Sequence, residues 1–311
     1  MSSSSTTTNP NPNKHHIERF KKYFEPGDQS LSLQERTNRY VDEVYTTQVP
    51  YVGQEKAVIM LVGCPMSGKT TFAKRLHATL KKAVMMSRDF IRTNPQGVYT
   101  FDPSKEHKVY SKFFTQLEEL YNNKSWNIII VDDANCTKKQ IIELLSFLEA
   151  LEANIIPVVF EAPPKCMIES RIKTDNKGLD LEHVWEEAQG IYDLGELLFS
   201  VYNPIFCKQP KFEECKDSES FNANAIAEQY LAIVEVHKTL LSFNPVSQFS
   251  QCSLPLECFP ASKERFSMSS GSLLMRRRTC ASNLQVQVQQ PRGLERHLKV
   301  MKKRKKKIKF K

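Results

Sequence analysis

The chain has 311 residues, 40% of them apolar, and 44 Lys and Arg against 35 Asp and Glu, for a formal charge of +9. No run of 18 or more apolar residues occurs, and the Ser/Thr/Asn/Pro-rich start, residues 1–13, has no apolar stretch of the kind a secretory signal needs, so a membrane-spanning or exported chain is not expected. The eight cysteines form no C-x-x-C pair and lack histidine partners at zinc-finger spacing, which argues against a metal framework or a disulfide scaffold and for reduced thiols inside the cell.

Residues 1–13 read as disordered, and 14–52 as a helical extension of two short amphipathic segments. The second starts at Ser32 with Glu35 three residues on, the spacing of a capping box. These helices are expected to lie on the core from outside. From 53 to 243 the signals alternate between short β-branched apolar runs and helical periods, with strands expected at 57–62, 83–87, 127–132 and 155–160. Helices are expected at 70–82, 104–122, 138–153, 165–173, 181–199 and 221–243. Such alternation predicts an α/β fold, a doubly wound parallel sheet with helices on both faces.

Beyond Asn244 the periodicity is lost, and 244–311 reads as a disordered tail. Ten of the 44 bases lie in residues 294–311 against one acid, Glu295, so the positive charge is concentrated there and the remainder of the chain is balanced. The basic cluster 296–311 suits three roles: a nuclear-import signal at 302–307 in a eukaryotic cell, a tether for nucleic acid or an anionic membrane, or a solvated end. Arg276-Arg277-Arg278-Thr279 has the form of a basic-directed phosphorylation site.

The most informative stretch is Gly63-Cys64-Pro65-Met66-Ser67-Gly68-Lys69-Thr70, which fits G-x-x-x-x-G-K-[ST] between an expected strand and an expected helix. A glycine-rich turn there leaves backbone N–H groups free at a helix N-terminus, where the helix dipole also favours an anion. Residues 63–71, through Thr71, are therefore expected to bind ATP, with Lys69 on the β/γ-phosphates and Thr70 on Mg²⁺. Three more clusters stand at expected strand ends, where ligands of doubly wound folds bind. Asp89 and Arg92 in Ser87-Arg88-Asp89-Phe90-Ile91-Arg92 suit a proton acceptor and an anion contact. In Asp132-Asp133-Ala134-Asn135 a carboxylate suits Mg²⁺. After Pro163-Pro164, Arg171, Lys173 and Lys177 suit a lid. Each cluster also has a plainer reading, as a helix cap, a turn or a solvated charge.

The order of these motifs from Lys56 to Leu198 resembles the 5′-hydroxyl kinase module of phage-type polynucleotide kinases and their P-loop relatives. Gly97-Val98-Tyr99-Thr100-Phe101-Asp102-Pro103 is similar to a segment of eukaryotic polynucleotide-kinase-like ATP-binding proteins. The resemblance implies transfer of the ATP γ-phosphate to a hydroxyl, the 5′-OH of a nucleic acid in the first instance. It makes Asp89 the general base, Arg92 the acceptor contact, Asp133 the carboxylate after the third strand and Arg171 the first lid arginine, which with Lys69 would stabilise the transferring phosphoryl group. Met66 departs from the family's usual glycine, and Lys177 is the nearest counterpart of a second lid arginine. A kinase for a small metabolite and an ATP-binding interaction protein without transfer activity are the alternatives.

Overall fold

The computed structural model describes residues 14–24, 30–175, 178–211, 215 and 217–243. The expectations for 1–13, Lys177, 276–279 and the tail with its basic cluster 296–311 lie outside them.

Five parallel strands form one sheet: β1 (Ala57–Val62), β2 (Ala83–Met86), β3 (Ile128–Val131), β4 (Asn154–Phe160) and β5 (Ile205–Cys207), in the order β2-β3-β1-β4-β5. All six residues of β1 and all four of β3 are buried, as continuous apolar runs in a sheet covered on both faces require. The pleat divides them. Ala57, Ile59, Leu61, Ile128 and Ile130 belong to one core cluster, while Val58, Met60, Ile129 and Val131 are just as buried and point to the opposite face.

The helices are α1 (Lys14–Phe24), α2 (Leu33–Thr47), α3 (Lys69–Thr79), α4 (Arg88–Arg92), α5 (Glu106–Asn122), α6 (Lys138–Ala150), α7 (Lys165–Thr174), α8 (Leu181–Gln189), α9 (Ile191–Phe199) and α10 (Ser218–Ser242). The chain leaves β1 toward β2 on one side and leaves β3 toward β4 on the other, so the strand order reverses between β1 and β3. The crevice beyond their carboxyl ends is where ligands of this architecture bind.

Three features differ from the sequence expectation. The α1–α2 hairpin does more than lie on the outside: Phe20, Phe24, Tyr40, Val41 and Val44 join β1, α3 and α10 in a single buried cluster. The helix expected over 181–199 is two, because at Gly190 the amide turns back to the Glu187 carbonyl at 3.2 Å, a tighter turn that interrupts the i−4 ladder. β5 carries no periodic signal because it has three residues, and its pairing with β4 alone makes it a strand. The capping box of α2 is formed: Glu35 N–H donates to Ser32 Oγ at 3.2 Å and Ser32 N–H to Glu35 Oε2 at 2.9 Å.

The α1/α2/α10 layer predicts a pH response. His237 is fully buried, with Nε2 2.8 Å from Thr79 Oγ1 and its ring edge-on to Tyr40, and burial together with the neighbouring His16 lowers its pKa to about 3. His16 is lowered to about 4 by burial and by the charges of Arg19, His15 and Lys81. Both histidines are held neutral in the fold but charge near pH 6.5 in the unfolded chain. Their contribution is therefore fully present above pH 6.5 and is lost as pH falls toward 4 and then 3. Unfolding free energy, measured in urea, is expected to drop by up to about 1.4 kcal/mol per pH unit for each histidine below pH 6. Equal urea midpoints at pH 7 and 5 would refute this.

Candidate active site

The turn between β1 and α3 is built by close approach and by two left-handed residues. A β-carbon at Gly63 would lie 2.9 Å from Phe160 Cβ on β4, so only glycine lets the loop leave the sheet there. Gly68 has φ +92, which glycine adopts freely, and Met66 has φ +66, which costs a side-chain-bearing residue roughly 1–2 kcal/mol. Gly68 is also the N-cap of α3 and offers no side-chain cap, so Lys69, Thr70 and Thr71 form a first turn whose amides no capping side chain takes. Thr70 and Thr71 are exposed, whereas Lys69 is buried. Its Nζ donates to the Gly63 carbonyl at 2.8 Å, the Cys64 carbonyl at 2.6 Å and Ser67 Oγ at 3.3 Å. Burial lowers the lysine's pKa, while Cys64, Asp132, Cys136 and Asp133 oppose the shift.

The turn after β3 locks onto this loop. Gly63 N–H donates to the Ala134 carbonyl at 3.0 Å, and Asn135 Nδ2 donates to the Leu61 carbonyl at 2.8 Å. Asn135 has φ +48, a conformation that asparagine tolerates better than most residues. The two aspartates before it separate. Asp133, the expected metal carboxylate, is taken by Arg88: its Oδ2 accepts from Nε and its Oδ1 from Nη2 at 2.9 Å. Both side chains are buried, and the Arg88 guanidinium lies over the Tyr110 ring at 4.5 Å. Asp132, also buried, lies within electrostatic reach of Thr70 and Lys69. Burial raises its pKa, helped by the charges of Asp133 and Asp89 and opposed by Thr70 and Lys69. Arg88, one residue before Asp89, thus holds the carboxylate expected on the metal, and Asp132 is the neighbouring carboxylate within electrostatic reach of Thr70.

Ser87 is the N-cap of α4, its Oγ accepting from Asp89 N–H at 3.0 Å, so capping does not explain Asp89. Asp89 acts on the Asp132 carboxyl as a neighbouring negative charge that raises its pKa. Arg92 Nη1 donates to Asp89 Oδ1 at 2.8 Å, and its Nε and Nη2 donate to Glu106 Oε1 and Oε2 at 2.9 and 2.6 Å. The expected acceptor contact is thus held by two carboxylates. Phe90 and Phe101 beside it are each more than half exposed, and Arg92 lies 5.8 Å from the Phe101 ring centre.

Arg171, on α7, reaches the loop itself. Its Nη1 donates to the Met66 carbonyl at 2.6 Å and its Nη2 to Asn222 Oδ1 on α10 at 2.8 Å. Lys173 pairs with Glu169 at 2.9 Å, one turn back on the same helix. Glu106, Asn222 and Gln229 escaped the sequence reading, since isolated amides and acids carry no spacing signal; Arg88 and Asn135 stood inside quoted motifs without a role.

The donor set suits a magnesium nucleotide. Among the described residues no three His, Cys, Asp or Glu side chains converge as a metal cage. A hydroxyl and a single carboxylate, Thr70 and Asp132, are hard oxygen donors of the kind that share Mg²⁺ with phosphates. Among the described residues, no helix is long and apolar enough to cross a membrane.

Residues 58–188 match the family described as AAA domain. Among solved structures the chain is similar to a chain of the Pnkp1/Rnl/Hen1 RNA repair complex, with 21% identity, 47% of each chain covered and a TM-score of 0.40. It is also similar to the tunicamycin resistance protein of Deinococcus radiodurans, with 18% identity, 58% of this chain and 96% of that one covered and a TM-score of 0.38. A gluconokinase from Sinorhizobium meliloti aligns at 10% identity over 60% of this chain and 96% of its own, with a TM-score of 0.37. The chain thus spans about half the length of the repair-complex chain. No curated protein sequence matches. With the phosphate-loop sequence after β1 and parallel strands in the order β2-β3-β1-β4-β5, the chain has the doubly wound architecture of a P-loop fold, and its residues 58–188 are similar to the AAA domain family.

Proposed function

We propose that this protein is an ATP-dependent phosphotransferase that moves the γ-phosphoryl group to a hydroxyl, with the 5′-OH of a nucleic acid as the first acceptor to test. The observation that carries the reading is the phosphate-loop turn at the carboxyl end of β1, with Lys69 Nζ on the Gly63 and Cys64 carbonyls at 2.8 and 2.6 Å, and with Asp89 on α4 after β2. Phosphoryl transfer needs positioning and neutralised charge more than covalent chemistry. Gly63 to Thr71 would hold the polyphosphate through backbone amides, with Lys69 Nζ leaving its loop carbonyls for the phosphates. Thr70 and Asp132 would hold Mg²⁺, which when bound offsets the negative charge of the β- and γ-oxygens. Asp89 accepts the proton of the attacking hydroxyl. The basic tail would add salt-dependent affinity for a nucleic acid.

One observation favours a small-metabolite acceptor as the second reading. Arg92 is already bonded to Asp89 and to both oxygens of Glu106, so an acceptor phosphate would have to displace a carboxylate to reach it.

The experiment is transfer from γ-labelled ATP to 5′-OH DNA, 5′-OH RNA and a panel of hydroxyl metabolites. Lys69→Ala is expected to lower transfer by about 10²-fold or more with the circular dichroism spectrum retained, the scale of losing one charged contact to the transferring group. Undiminished turnover in that variant would sink the phosphate-loop assignment. Tight ATP binding without transfer to any acceptor would leave the protein an ATP-dependent binder.

A further inference from the structure

Three successive carbonyls of the phosphate loop are each caught by a side chain from the C-terminal half of the fold. The Met66 carbonyl accepts from Arg171 Nη1 at 2.6 Å, the Ser67 carbonyl from Gln209 Nε2 at 3.3 Å and the Gly68 carbonyl from Gln229 Nε2 at 3.4 Å. In a trans peptide the C=O and the following N–H point in opposite directions, so holding the carbonyls of 66, 67 and 68 on one side sets the amides of 67, 68 and 69 on the other. Those amides belong to the turn proposed above to cradle phosphate.

The anchors are themselves fixed. Arg171 is braced by Asn222 Oδ1 at 2.8 Å and lies 5.9 Å from the centre of the buried Phe221 ring, both on α10. Met167 of α7 packs with Phe221 and Ala225 of α10, which seats the helix that carries the arginine. Gln229 is held from its other end by Arg75 Nη1 at 2.5 Å, which ties α10 to α3. Gln209, Asn222 and Gln229 all lie beyond the family match, which ends at 188.

We propose that Arg171, Gln209 and Gln229 are positioning residues for the phosphate loop, and that the Arg171 bond to the Met66 carbonyl holds residue 66 in the left-handed conformation that a glycine would adopt unaided. Arg171 then acts through Met66 and not on the transferring group, and α10 is part of the binding machinery although it supplies no ligand contact. The inference rests on the nucleotide-binding reading for its consequence, but the loop geometry can be read without nucleotide.

The test uses the full chain as wild type, Arg171→Ala, Met66→Gly and the double variant, with amide hydrogen exchange of peptides spanning 63–70 and titration with a fluorescent ATP analogue. Arg171→Ala is expected to speed exchange and weaken nucleotide binding by about tenfold each, the scale of one left-handed residue's strain. In the Met66→Gly background the same change is expected to cost no more than about threefold, since glycine takes a positive φ without help. Equal factors in the two backgrounds would overturn the latch and return Arg171 to the ligand, and so would unchanged exchange in Arg171→Ala. If Arg171→Ala melts below the working temperature, Arg171→Lys, which keeps the charge but not the fork, is compared in the same two backgrounds with the same criterion. Should wild type fail to bind nucleotide while exchange follows the expected pattern, the latch stands and the nucleotide reading falls.

Discussion

Asp133→Ala is expected to destabilise the protein severely, whereas Asp132→Asn is expected to leave its melting temperature unchanged or slightly higher while removing activity. The two carboxylates are adjacent in sequence but face different partners. Removing Asp133 leaves the buried Arg88 guanidinium without its carboxylate, a loss of roughly 3–5 kcal/mol that lowers the melting temperature by about 10 °C in a domain of this size. Asp132 has the opposite balance. Burial raises its pKa, so its ionised form weighs against the fold at neutral pH, and an asparagine of the same shape relieves that cost. The same substitution removes the carboxylate beside Thr70, and transfer is expected to fall by about 10²–10³-fold. Thermal melts and initial rates of both variants decide the matter. If Asp133→Ala melts like wild type and loses transfer while Asp132→Asn is active, the metal carboxylate is Asp133, as the family resemblance implies.

Asp89→Asn is expected to lower phosphoryl transfer by about 10²–10⁴-fold with ATP affinity within a few fold of wild type, the signature of a lost general base. The structure makes this a clean substitution. Ser87 caps α4, so the helix start does not depend on residue 89, and an asparagine Oδ1 can still accept from Arg92 Nη1. The melting temperature is therefore expected to move by no more than about 3 °C, the scale of losing the charge of one half-exposed ion pair. Measured kcat equal to that of wild type would remove Asp89 from the chemistry, and a parallel loss of ATP affinity would make it part of the nucleotide site.

Much of the sheet was legible because its strands are buried on both faces and must read as continuous apolar runs: Ala57–Val62 and Ile128–Val131 could hardly be anything else. The phosphate loop was legible because its chemistry is local, packed into eight consecutive residues whose spacing states what they do. β5 was not legible, since three residues carry no period and only the open edge of β4 makes them a strand. Nor was the break at Gly190, where one tighter hydrogen bond divides a helix that the apolar pattern runs straight through.

The site shows the same division more sharply. Sequence by itself determined the fold class, the phosphate loop and the presence of acids and arginines at strand ends, because these follow from short-range periodicity and spacing. The family resemblance also marked Met66 as a side chain where that family usually has glycine. Which aspartate Arg88 bonds, what Arg92 and Arg171 bond to, and that Met66 takes a positive φ were decided only by tertiary structure. Arg88 and Asp133 are 45 residues apart, Arg171 and the Met66 carbonyl 105, and Gln229 and the Gly68 carbonyl 161. A hydrogen bond is selected by distances of about 3 Å in the folded chain, and no period or motif in a linear sequence carries pairings of that range.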